Sequence, residues 1–370
     1  MSALFTPIQL RGLKLPNRIM VAPMCQYSSV DGDANDWHFT HINSLALSGA
    51  GVFCIEATAV EASGRITPSC LGLYSDSNEA ALKPILASVR KRSKTAVMMQ
   101  LAHAGRKASS HTPWDGGQLI LLSEGGWRPE APSAIPHKEG ETPPLALDAA
   151  GLLRVREAFV LATKRAERLG IDAIEVHSAH GYLLHQFLSP ISNQRTDQYG
   201  GSLQNRMRFP LQVFDAVRAA FPSQKPVGVR LSSTDWVEGG WDLAQTIEYA
   251  TELKKRGVDW IDASSGGVSP LQKIPLGPGY QVPFADAIKQ ATGLTTIAVG
   301  LITEARQAEE IVASGKADMV ALARGMLYDP RWGWHAAAEL GGEVAAPPQY
   351  WRSQPSTQKA LFGATTFGTR

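Results

Sequence analysis

The feature that most constrains the fold of this chain is a pattern that repeats from residue 17 to about residue 340. Each repeat consists of a short apolar run, a turn of small residues and an amphipathic segment with helical spacing. Most of the runs are apolar at successive positions, which is typical of strands that are covered on both faces. The pattern predicts eight strands, at residues 18–22, 51–57, 96–101, 173–177, 227–231, 260–263, 296–299 and 319–323.

The segments between the strands have the spacing of helices with one apolar face. Within residues 152–169, Leu152, Val155 and Phe159 recur at three- and four-residue intervals. Gly170 follows, where a left-handed residue often ends a helix. Similar evidence predicts two further helices: 242–256, capped by Asp242 and stopped by Gly257, and 303–314, stopped by Gly315.

Eight β-then-α units in series predict a parallel sheet that closes into a single (β/α)8 barrel. The alternative, an open doubly wound sheet, usually carries a glycine-rich dinucleotide turn, and the sequence contains no G-x-G-x-x-G motif. We therefore expect one domain over residues 1–370, with a core at about 17–340. A long Pro-, Gly- and Ser-rich loop at 106–148 follows the third strand, and a tail with little periodicity occupies 345–370.

Composition narrows the classes of partner. Hydrophobic residues make up 44% of the chain and charged residues 19%, as in a globular protein with a sizeable core. With 36 basic and 34 acidic residues, nothing indicates a nucleic-acid partner, and no apolar run is long enough to cross a membrane. The N-terminus lacks a signal-peptide pattern and three cysteines fit a reducing compartment, so we expect a cytoplasmic protein.

Several predicted strands end in polar side chains that a hydrophobic core does not need. Because the carboxyl ends of barrel strands meet at one rim, we expect these side chains to lie together at the usual place for a barrel active site. Arg230 is the most informative, since a buried guanidinium needs an anionic or hydrogen-bonding partner. The set comprises Cys25 and Tyr27 after strand 1, Gln100 and His103 at strand 3, His177, His180 and Tyr182 at strand 4, Arg230 in strand 5 and Arg324 after strand 8.

The ends of strands 7 and 8 indicate what this rim binds. Gly300 permits close approach to the backbone, and Arg324 begins the helix that follows strand 8. This pair of loops is the usual phosphate site of such barrels. A phosphorylated planar cofactor spanning the mouth could use Arg324 for its phosphate and Arg230 for its ring. Cys25, taken alone, fits a small packing thiol equally well.

A long string of residues carries a resemblance to a known family. Residues 177–190 read HSAHGYLLHQFLSP and residues 193–202 read NQRTDQYGGS, followed by Asn205-Arg206. Together with the shorter stretches 17–19, 22–25, 56–60, 64–67 and 100–107, this string resembles the old yellow enzyme family of FMN-dependent ene-reductases over almost the whole chain. Cys25 and the pair His177 and His180 are similar to its bacterial branch of xenobiotic reductases and NADPH dehydrogenases.

The resemblance implies a tightly but non-covalently bound FMN, NADPH or NADH as hydride donor, and a small alkene or nitro compound as substrate. The two imidazoles would bind the substrate oxygen and Tyr182 would donate a proton. The implied substrate contacts are Tyr27, His177, His180 and Tyr182. The implied FMN contacts are Ala22, Pro23, Met24, Cys25, Ala57, Gln100, Arg230, Gly300, Ala323 and Arg324.

The resemblance also implies an oligomer. Family members with short chains carry a C-terminal arginine that reaches the site of a neighbouring subunit, and Arg352 in the segment 349–352 has the matching place. We therefore expect a homodimer or homotetramer. Eighteen residues follow Arg352 here, and Ala323 stands where glycine is common in the family.

Two other functions remain as alternatives. A metal-dependent barrel hydrolase could use His177 and His180 as ligands, although no cluster of Asp or Glu joins them at the other strand ends. A non-catalytic flavin-binding barrel would need no groups that polarise a substrate. Dienoyl-CoA reductases of the same superfamily are excluded, because three scattered cysteines cannot hold their iron–sulfur cluster.

Overall fold

Eight parallel strands form a closed barrel in the computed structural model, which describes residues 2–365. Each strand pairs with its neighbours in chain order, and the eighth pairs with the first. The prediction of a (β/α)8 barrel is confirmed. The strands are β1 Ile19–Val21, β2 Val52–Ala59, β3 Ala96–Ala102, β4 Ala173–Ser178, β5 Val227–Ser232, β6 Ile261–Ser264, β7 Thr296–Val299 and β8 Met319–Leu322.

Helices alternate with these strands around the outside of the barrel. Their bounds are α1 Asp36–Leu45, α2 Asp76–Arg92, α3 Ala149–Arg168, α4 Leu183–Leu188, α5 Leu203–Ala220, α6 Leu243–Lys255, α7 Val282–Thr292, α8 Ala305–Ala313, α9 Arg324–Tyr328 and α10 Trp332–Leu340.

The predicted helix ends are confirmed where capping chemistry is clear. Asp242 accepts a hydrogen bond from the backbone N–H of Gln245 at the start of α6, and Gly257 has a φ of +80° just beyond its end. Helix α3 begins three residues earlier than predicted, because the Asp148 carboxylate caps it by accepting from the N–H of Gly151. Gly170 and Gly315, the other predicted stops, also have positive φ.

A hairpin that the sequence analysis missed closes the lower end of the barrel. Residues Ile8–Leu10 pair with Leu13–Leu15, and Gly12 at the turn donates its N–H to the carbonyl of Gln224. Leu10 and Leu15 are buried against the side chains that fill the barrel interior. The interior is therefore sealed by apolar packing at the end where the strands begin.

The long loop after β3 and the C-terminal tail both pack on the barrel. The loop contains short turns, and Glu130–Ala131 pairs with Leu145–Ala146. In the tail, Phe362 packs against Trp334 of α10 with ring centroids 4.9 Å apart. The tail predicted at 345–370 includes residues 366–370, which lie outside the described residues.

Among the residues that the structure describes, no helix combines the length and the hydropathy needed to span a bilayer.

Candidate active site at the mouth of the barrel

Three aromatic side chains at the end of β4 and just after it, His177, His180 and Tyr182, meet at the mouth. The ring centroid of His177 lies 5.2 Å from that of His180 and 5.0 Å from that of Tyr182. The chain turns sharply between them, because His180 and Gly181 both have positive φ, +58° and +71°. A side chain at Gly181 would come within 2.1 Å of the carbonyl oxygen of Gly267, so only glycine fits this turn.

Both imidazoles are neutral and each carries one N–H. Burial, together with the nearby Arg230 guanidinium, lowers the pKa of His177 and of His180 well below the usual value. The N–H of Ala179 donates to Nδ1 of His177 over 3.3 Å, which places the ring proton on Nε2. Nε2 of His180 lies 2.7 Å from the Ser264 hydroxyl, which can donate or accept.

The Tyr182 phenol remains protonated, because burial raises its pKa well above the ordinary value. The ammonium of Lys107 lies 4.9 Å from the centroid of the Tyr182 ring. The same ammonium donates to the backbone carbonyls of His180 at 2.9 Å and Gly267 at 3.1 Å. Lys107 thus ties the loops after β3, β4 and β6 together, a role that the sequence analysis missed although the residue lies in the matched stretch 100–107.

The loop after β1 forms another wall of the mouth. Tyr27 has a φ of +50°, and its hydroxyl lies close to the Cys25 thiol. Burial, with Cys70 and Glu56 nearby, raises the pKa of Cys25 well above its usual value, so the sulfur is a thiol at neutral pH. The thiol also contacts the backbone of Ala57.

Ala57 and Glu56 lie in an irregular part of β2. The register of β2 against β3 shifts between Ile55 and Thr58, as in a β-bulge, a feature often found beside active sites. The Glu56 carboxyl accepts from the N–H of Gln26 at 2.9 Å and lies 3.6 Å from Nε2 of His38. Burial raises the pKa of Glu56 to about 8. Sequence analysis did not single out this buried carboxyl.

Polar side chains from four neighbouring strands, β3 to β6, form a layer near the histidines. In the sheet register, Gln100 of β3 stands opposite Glu175 of β4, and Arg230 of β5 stands opposite both His177 and Asp262. Nε2 of Gln100 donates to Glu175 at 2.9 Å, and Nε of Arg230 lies 3.3 Å from Oδ2 of Asp262. All of these side chains are buried.

The carboxyl groups in this layer were also missed by the sequence analysis. Burial and the neighbouring Asp262 raise the pKa of Glu175 to about 8, and burial raises that of Asp262. In the described part of the chain, neither oxygen of Asp262 nor Nε of Arg230 makes a hydrogen bond of good geometry. The layer therefore contains a buried guanidinium that has a carboxyl group 3.3 Å away but no well-aligned hydrogen bond from its Nε.

The ends of β7 and β8 provide the remaining wall. Gly300 has a φ of +117°. Burial raises the pKa of the Tyr280 phenol, and the positive charges of Arg324 and Arg230 oppose this change. Ala323 precedes α9, and Arg324 is exposed at its first position. The Arg324 guanidinium makes no hydrogen bond or ion pair with any residue between 2 and 365, which leaves all its donors available for an anion.

Arg352 lies apart from the other predicted site residues. It belongs to the short helix Pro348–Ser353 and is exposed. The adjacent Trp351 lines a cavity together with Asn17 and Thr95, which precede β1 and β3. The segment therefore lies at the lower end of the barrel, away from the mouth of its own subunit.

His103, a further polar residue of the predicted rim, is directed toward Glu61. Its Nε2 lies 3.4 Å from the Glu61 carboxylate, and its Nδ1 accepts from the N–H of Gly105. Arg154 bridges Glu61 and Glu130 close by. Within residues 2–365, Glu61, His103 and Glu130 form the one grouping of three possible metal ligands, and His177 and His180 do not belong to it.

The fold and the site together define a class of protein. A closed (β/α)8 barrel carries neutral imidazoles, a phenol, an amide and a buried guanidinium at its mouth, with an available guanidinium after β8. These residues fit FMN, because Arg324 can bind a phosphate while Gln100 and Arg230 offer donors to an electron-rich ring. The arrangement is that of a flavin-dependent barrel oxidoreductase.

Comparison with known proteins gives the family. Residues 3–342 match the NADH:flavin oxidoreductase / NADH oxidase family. The chain is 44% identical to an NADH:flavin oxidoreductase of Gibberella zeae over 358 residues, covering 92% of this chain and 86% of that protein. It is 43% identical to an NADPH dehydrogenase of a Geobacillus species over 351 residues, covering 94% and 98%.

A solved structure agrees with these relatives. Morphinone reductase in complex with tetrahydroNAD is 30% identical, with a TM-score of 0.75 and coverage of 96% of this chain and 93% of that one. The chain therefore belongs to the NADH:flavin oxidoreductase family of old yellow enzyme type, and its cofactors are FMN and NAD(P)H. This membership sets aside the metal-dependent hydrolase and the non-catalytic flavin-binding barrel.

Proposed function

We propose that this protein is an FMN-dependent NAD(P)H:alkene oxidoreductase. It reduces the C=C bond of α,β-unsaturated carbonyls, maleimides or nitro compounds in a ping-pong cycle. One observation carries the proposal: two neutral imidazoles and a protonated phenol meet at the mouth, with the ring centroids of His180 and Tyr182 5.2 and 5.0 Å from that of His177, the register partner of Arg230. Such a set binds an oxygen on one side of a substrate and supplies a proton on the other.

Ten residues at the mouth hold the cofactor in this proposal. Arg324 binds the phosphate, with backbone groups at Gly300 and Ala323 beside it. Arg230 and Gln100 would hold the ring system, together with Ala57 of the bulge and four residues at the end of β1 and just after it: Ala22, Pro23, Met24 and Cys25. Bound FMN would supply the hydride chemistry of the reaction, with NAD(P)H as the hydride donor and the alkene as the acceptor.

His177 and His180 orient and polarise the substrate. Because both rings are neutral at pH 7, each offers an N–H to a carbonyl or nitro oxygen without placing a full charge in the site. Negative charge develops on that oxygen as the alkene is reduced, and hydrogen bonds aimed at it stabilise the transition state. Tyr27, on the opposite wall, confines the substrate between the β1 loop and the histidines.

Tyr182 donates the proton to the α-carbon. A phenol with a raised pKa suits this step, because an enolate-like carbon is strongly basic. Lys107, at 4.9 Å from the ring centroid, stabilises the phenolate that remains until a proton returns. The function of Tyr182 is thus supported by its protonation state and by a nearby cation.

Separate half-reactions test the proposal. Purified protein is loaded with FMN and mixed with NADPH in the absence of oxygen, and loss of flavin absorbance is followed by stopped flow. The bleached protein is then mixed with cyclohexenone, and we expect the absorbance to return with one cyclohexanone formed for each flavin. Bleaching without recovery by enones, maleimides or nitroalkenes would show that alkenes are not the substrates.

We further propose that Arg352 completes the site of a neighbouring subunit in a homodimer or homotetramer. The placement of its segment at the lower end of its own barrel supports this, since the mouth of the same subunit lies at the opposite end. Mixing subunits that carry Arg352→Ala with subunits that carry Tyr182→Phe tests it. Mixed oligomers should recover sites that are intact in both respects, and absence of any recovery would contradict the proposal.

We keep the cytoplasm as the proposed location. All three cysteines, Cys25, Cys54 and Cys70, are free thiols in the structure, which suits a reducing compartment. Fractionation of the source cells, with the protein detected by antibody, checks this proposal.

A further inference from the structure

A small side cavity of about 140 Å³ opens beside the candidate active site, beneath the loop after β3. It shares Tyr27 and Lys107 with the site, so a molecule seated over His177 and Tyr182 can extend a substituent into it. Ligand pockets usually have volumes of ~300–1,000 Å³, so this cavity suits one substituent rather than a whole ligand. Its charged and titratable lining is Arg106, Lys107, His111, His137, Lys138 and Glu141.

The two innermost cations of this cavity are held by groups without net charge. Arg106 donates to the carbonyl of Val268 at 2.6 Å, and Lys107 donates to those of His180 and Gly267. Within residues 2–365, no carboxylate comes within 4.0 Å of either cation. Carbonyl oxygens satisfy the donors but do not neutralise the charge, so two adjacent positive charges remain at the base of the cavity.

Two groups, Lys107 and His137, respond to this positive field. Burial first, then Arg106 and Lys138, lower the pKa of Lys107 to about 8. Burial, then Lys107, Arg106 and Lys138, lower the pKa of His137 to about 3, so that imidazole is neutral. Burial also lowers the pKa of Arg106 to about 10, although Asp235 and Glu141 oppose the change. The cations therefore repel further positive charge in their neighbourhood.

One carboxylate lines the cavity against three cations. Glu141 accepts a hydrogen bond from the backbone N–H of Lys138 at 3.0 Å and offsets part of the charge. Counting Arg106, Lys107 and Lys138 as positive and Glu141 as negative leaves 3 − 1 = +2 at neutral pH. Arg106 Nε is buried without a hydrogen-bond partner of good geometry among the described residues. A buried donor without a partner in a positive cavity is what an anion would satisfy.

We propose that this cavity is an anion-accepting subsite that binds a carboxylate or phosphate group carried by the molecule in the active site. The proposal rests on the proposed function in one respect: it takes the molecule in the active site to be the alkene or the nicotinamide nucleotide. The anion is either a carboxylate on the alkene or a phosphate of NADPH. The subsite would favour negatively charged ligands. His177 and His180, which are neutral, do not discriminate by charge.

Binding of an inert ligand pair tests the subsite without turnover. Succinimidoacetic acid and its amide have the same ring and differ in one charge, and neither contains a reducible C=C bond. Titration of the FMN-loaded protein, followed by the flavin absorbance, should show the acid binding about tenfold more tightly than the amide, since hydrogen bonds to charged groups are worth ~1.5–3 kcal/mol. The preference should shrink at high salt, because screening weakens the attraction.

Lys138→Gln provides the mutational arm. Lys138 is exposed on the loop, so its removal leaves the core unaltered, and we expect the preference for the acid to fall at least threefold. Lys83→Gln, an exposed change of equal charge on α2, is the matched control and should keep the full preference. Equal binding of acid and amide by the wild type, or an unchanged preference in Lys138→Gln, would overturn the subsite.

The half-reactions then identify the source of the anion. Maleimidoacetic acid and its amide are compared as oxidants, and NADPH and NADH as reductants, in wild type and Lys138→Gln. A selective loss of rate with the acid assigns the subsite to the alkene, and a selective loss with NADPH assigns it to the nucleotide phosphate. Failure of both maleimides to reoxidise the flavin would contradict the proposed function alone, because the succinimide binding preference stands independently of turnover.

Discussion

Gly228 and Trp260 share one space inside the barrel. A methyl group added at Gly228 would lie 1.9 Å from Cε2 of the Trp260 indole, which is fully buried. Gly228 of β5 stands opposite Glu175 of β4 in the register, and the indole N–H of Trp260 reaches the Glu175 carboxyl at 3.3 Å. The missing side chain on β5 thus creates the gap through which a residue beside β6 reaches a carboxyl on β4.

The first prediction concerns this gap. Gly228→Ala should lower the free energy of unfolding by ~1–3 kcal/mol, because the added methyl overpacks a rigid interior. Chemical denaturation measures the change. Gly277→Ala is the control, since a methyl there meets no atom within 4 Å and the loss should be close to zero.

Combining Gly228→Ala with Trp260→Leu should recover part of the stability lost by Gly228→Ala, because the smaller side chain frees the space. Additive effects of the two substitutions in a double-mutant cycle would mean that the residues do not compete for it.

Tyr182→Phe should separate the two half-reactions. Removal of a general acid costs roughly 10²- to 10⁴-fold in the step that needs the proton, so reoxidation by cyclohexenone should slow by that order. Reduction of the flavin by NADPH requires no proton from Tyr182 and should change by less than about threefold. Stopped-flow absorbance measures both rates, and an equal slowing of the two would remove Tyr182 from the proposed role.

His177→Ala should weaken binding of the oxygen-bearing substrate while FMN stays bound. Loss of one hydrogen bond to a developing charge is worth ~1.5–3 kcal/mol, or roughly 10- to 150-fold in affinity. Titration with an enone against the flavin absorbance measures the affinity, and the flavin content after gel filtration measures FMN retention. Release of FMN on this change would mean that His177 serves the architecture of the mouth instead.

Glu56→Gln should change how stability depends on pH. The folded state raises the pKa of Glu56 to about 8 from an ordinary value of 4.5, so it binds the proton more tightly than the unfolded chain does. The stability that this proton contributes is present below pH 4.5 and is lost as pH rises through 8. The variant, which is neutral at every pH, should therefore gain stability relative to the wild type between pH 5 and pH 8.5, by up to ~4 kcal/mol.

Urea unfolding at the two pH values measures this gain. Glu248→Gln, an exposed change on α6, is the control and should show no dependence of this kind. A constant difference between Glu56→Gln and wild type at both pH values would contradict the inference that Glu56 is protonated in the folded state.

The sequence predicts the barrel well because most of its strands are continuous runs of apolar residues. All eight predicted strands overlap the observed ones, and 296–299 coincides with β7. The hairpin at residues 8–15 escaped prediction because each of its strands has three residues, too few to show a period. Its role depends on Leu10 and Leu15 meeting the barrel interior, a contact that no local pattern records.

The residues of the site likewise divide into those with a local sequence signal and those placed by contacts between distant parts of the chain. His177, His180, Tyr182 and Arg230 could be found because they lie at strand ends, where barrel chemistry is expected. Glu175 and Asp262 carried a usable signal, since each is a charged residue inside an otherwise apolar strand. Lys107 lies in the matched stretch 100–107, but its position above Tyr182 could not be predicted, because it depends on carbonyls of residues 180 and 267, which are distant in the chain.

The hairpin at the lower end of the barrel has a consequence for how ligands enter and leave. Because Leu10 and Leu15 seal that end, a ligand can reach the layer of Gln100 and Arg230, and leave it, only through the mouth of the barrel. A spent nucleotide must vacate it before an alkene can take its place. In the cycle proposed above, the nucleotide and the alkene therefore compete for that single entrance.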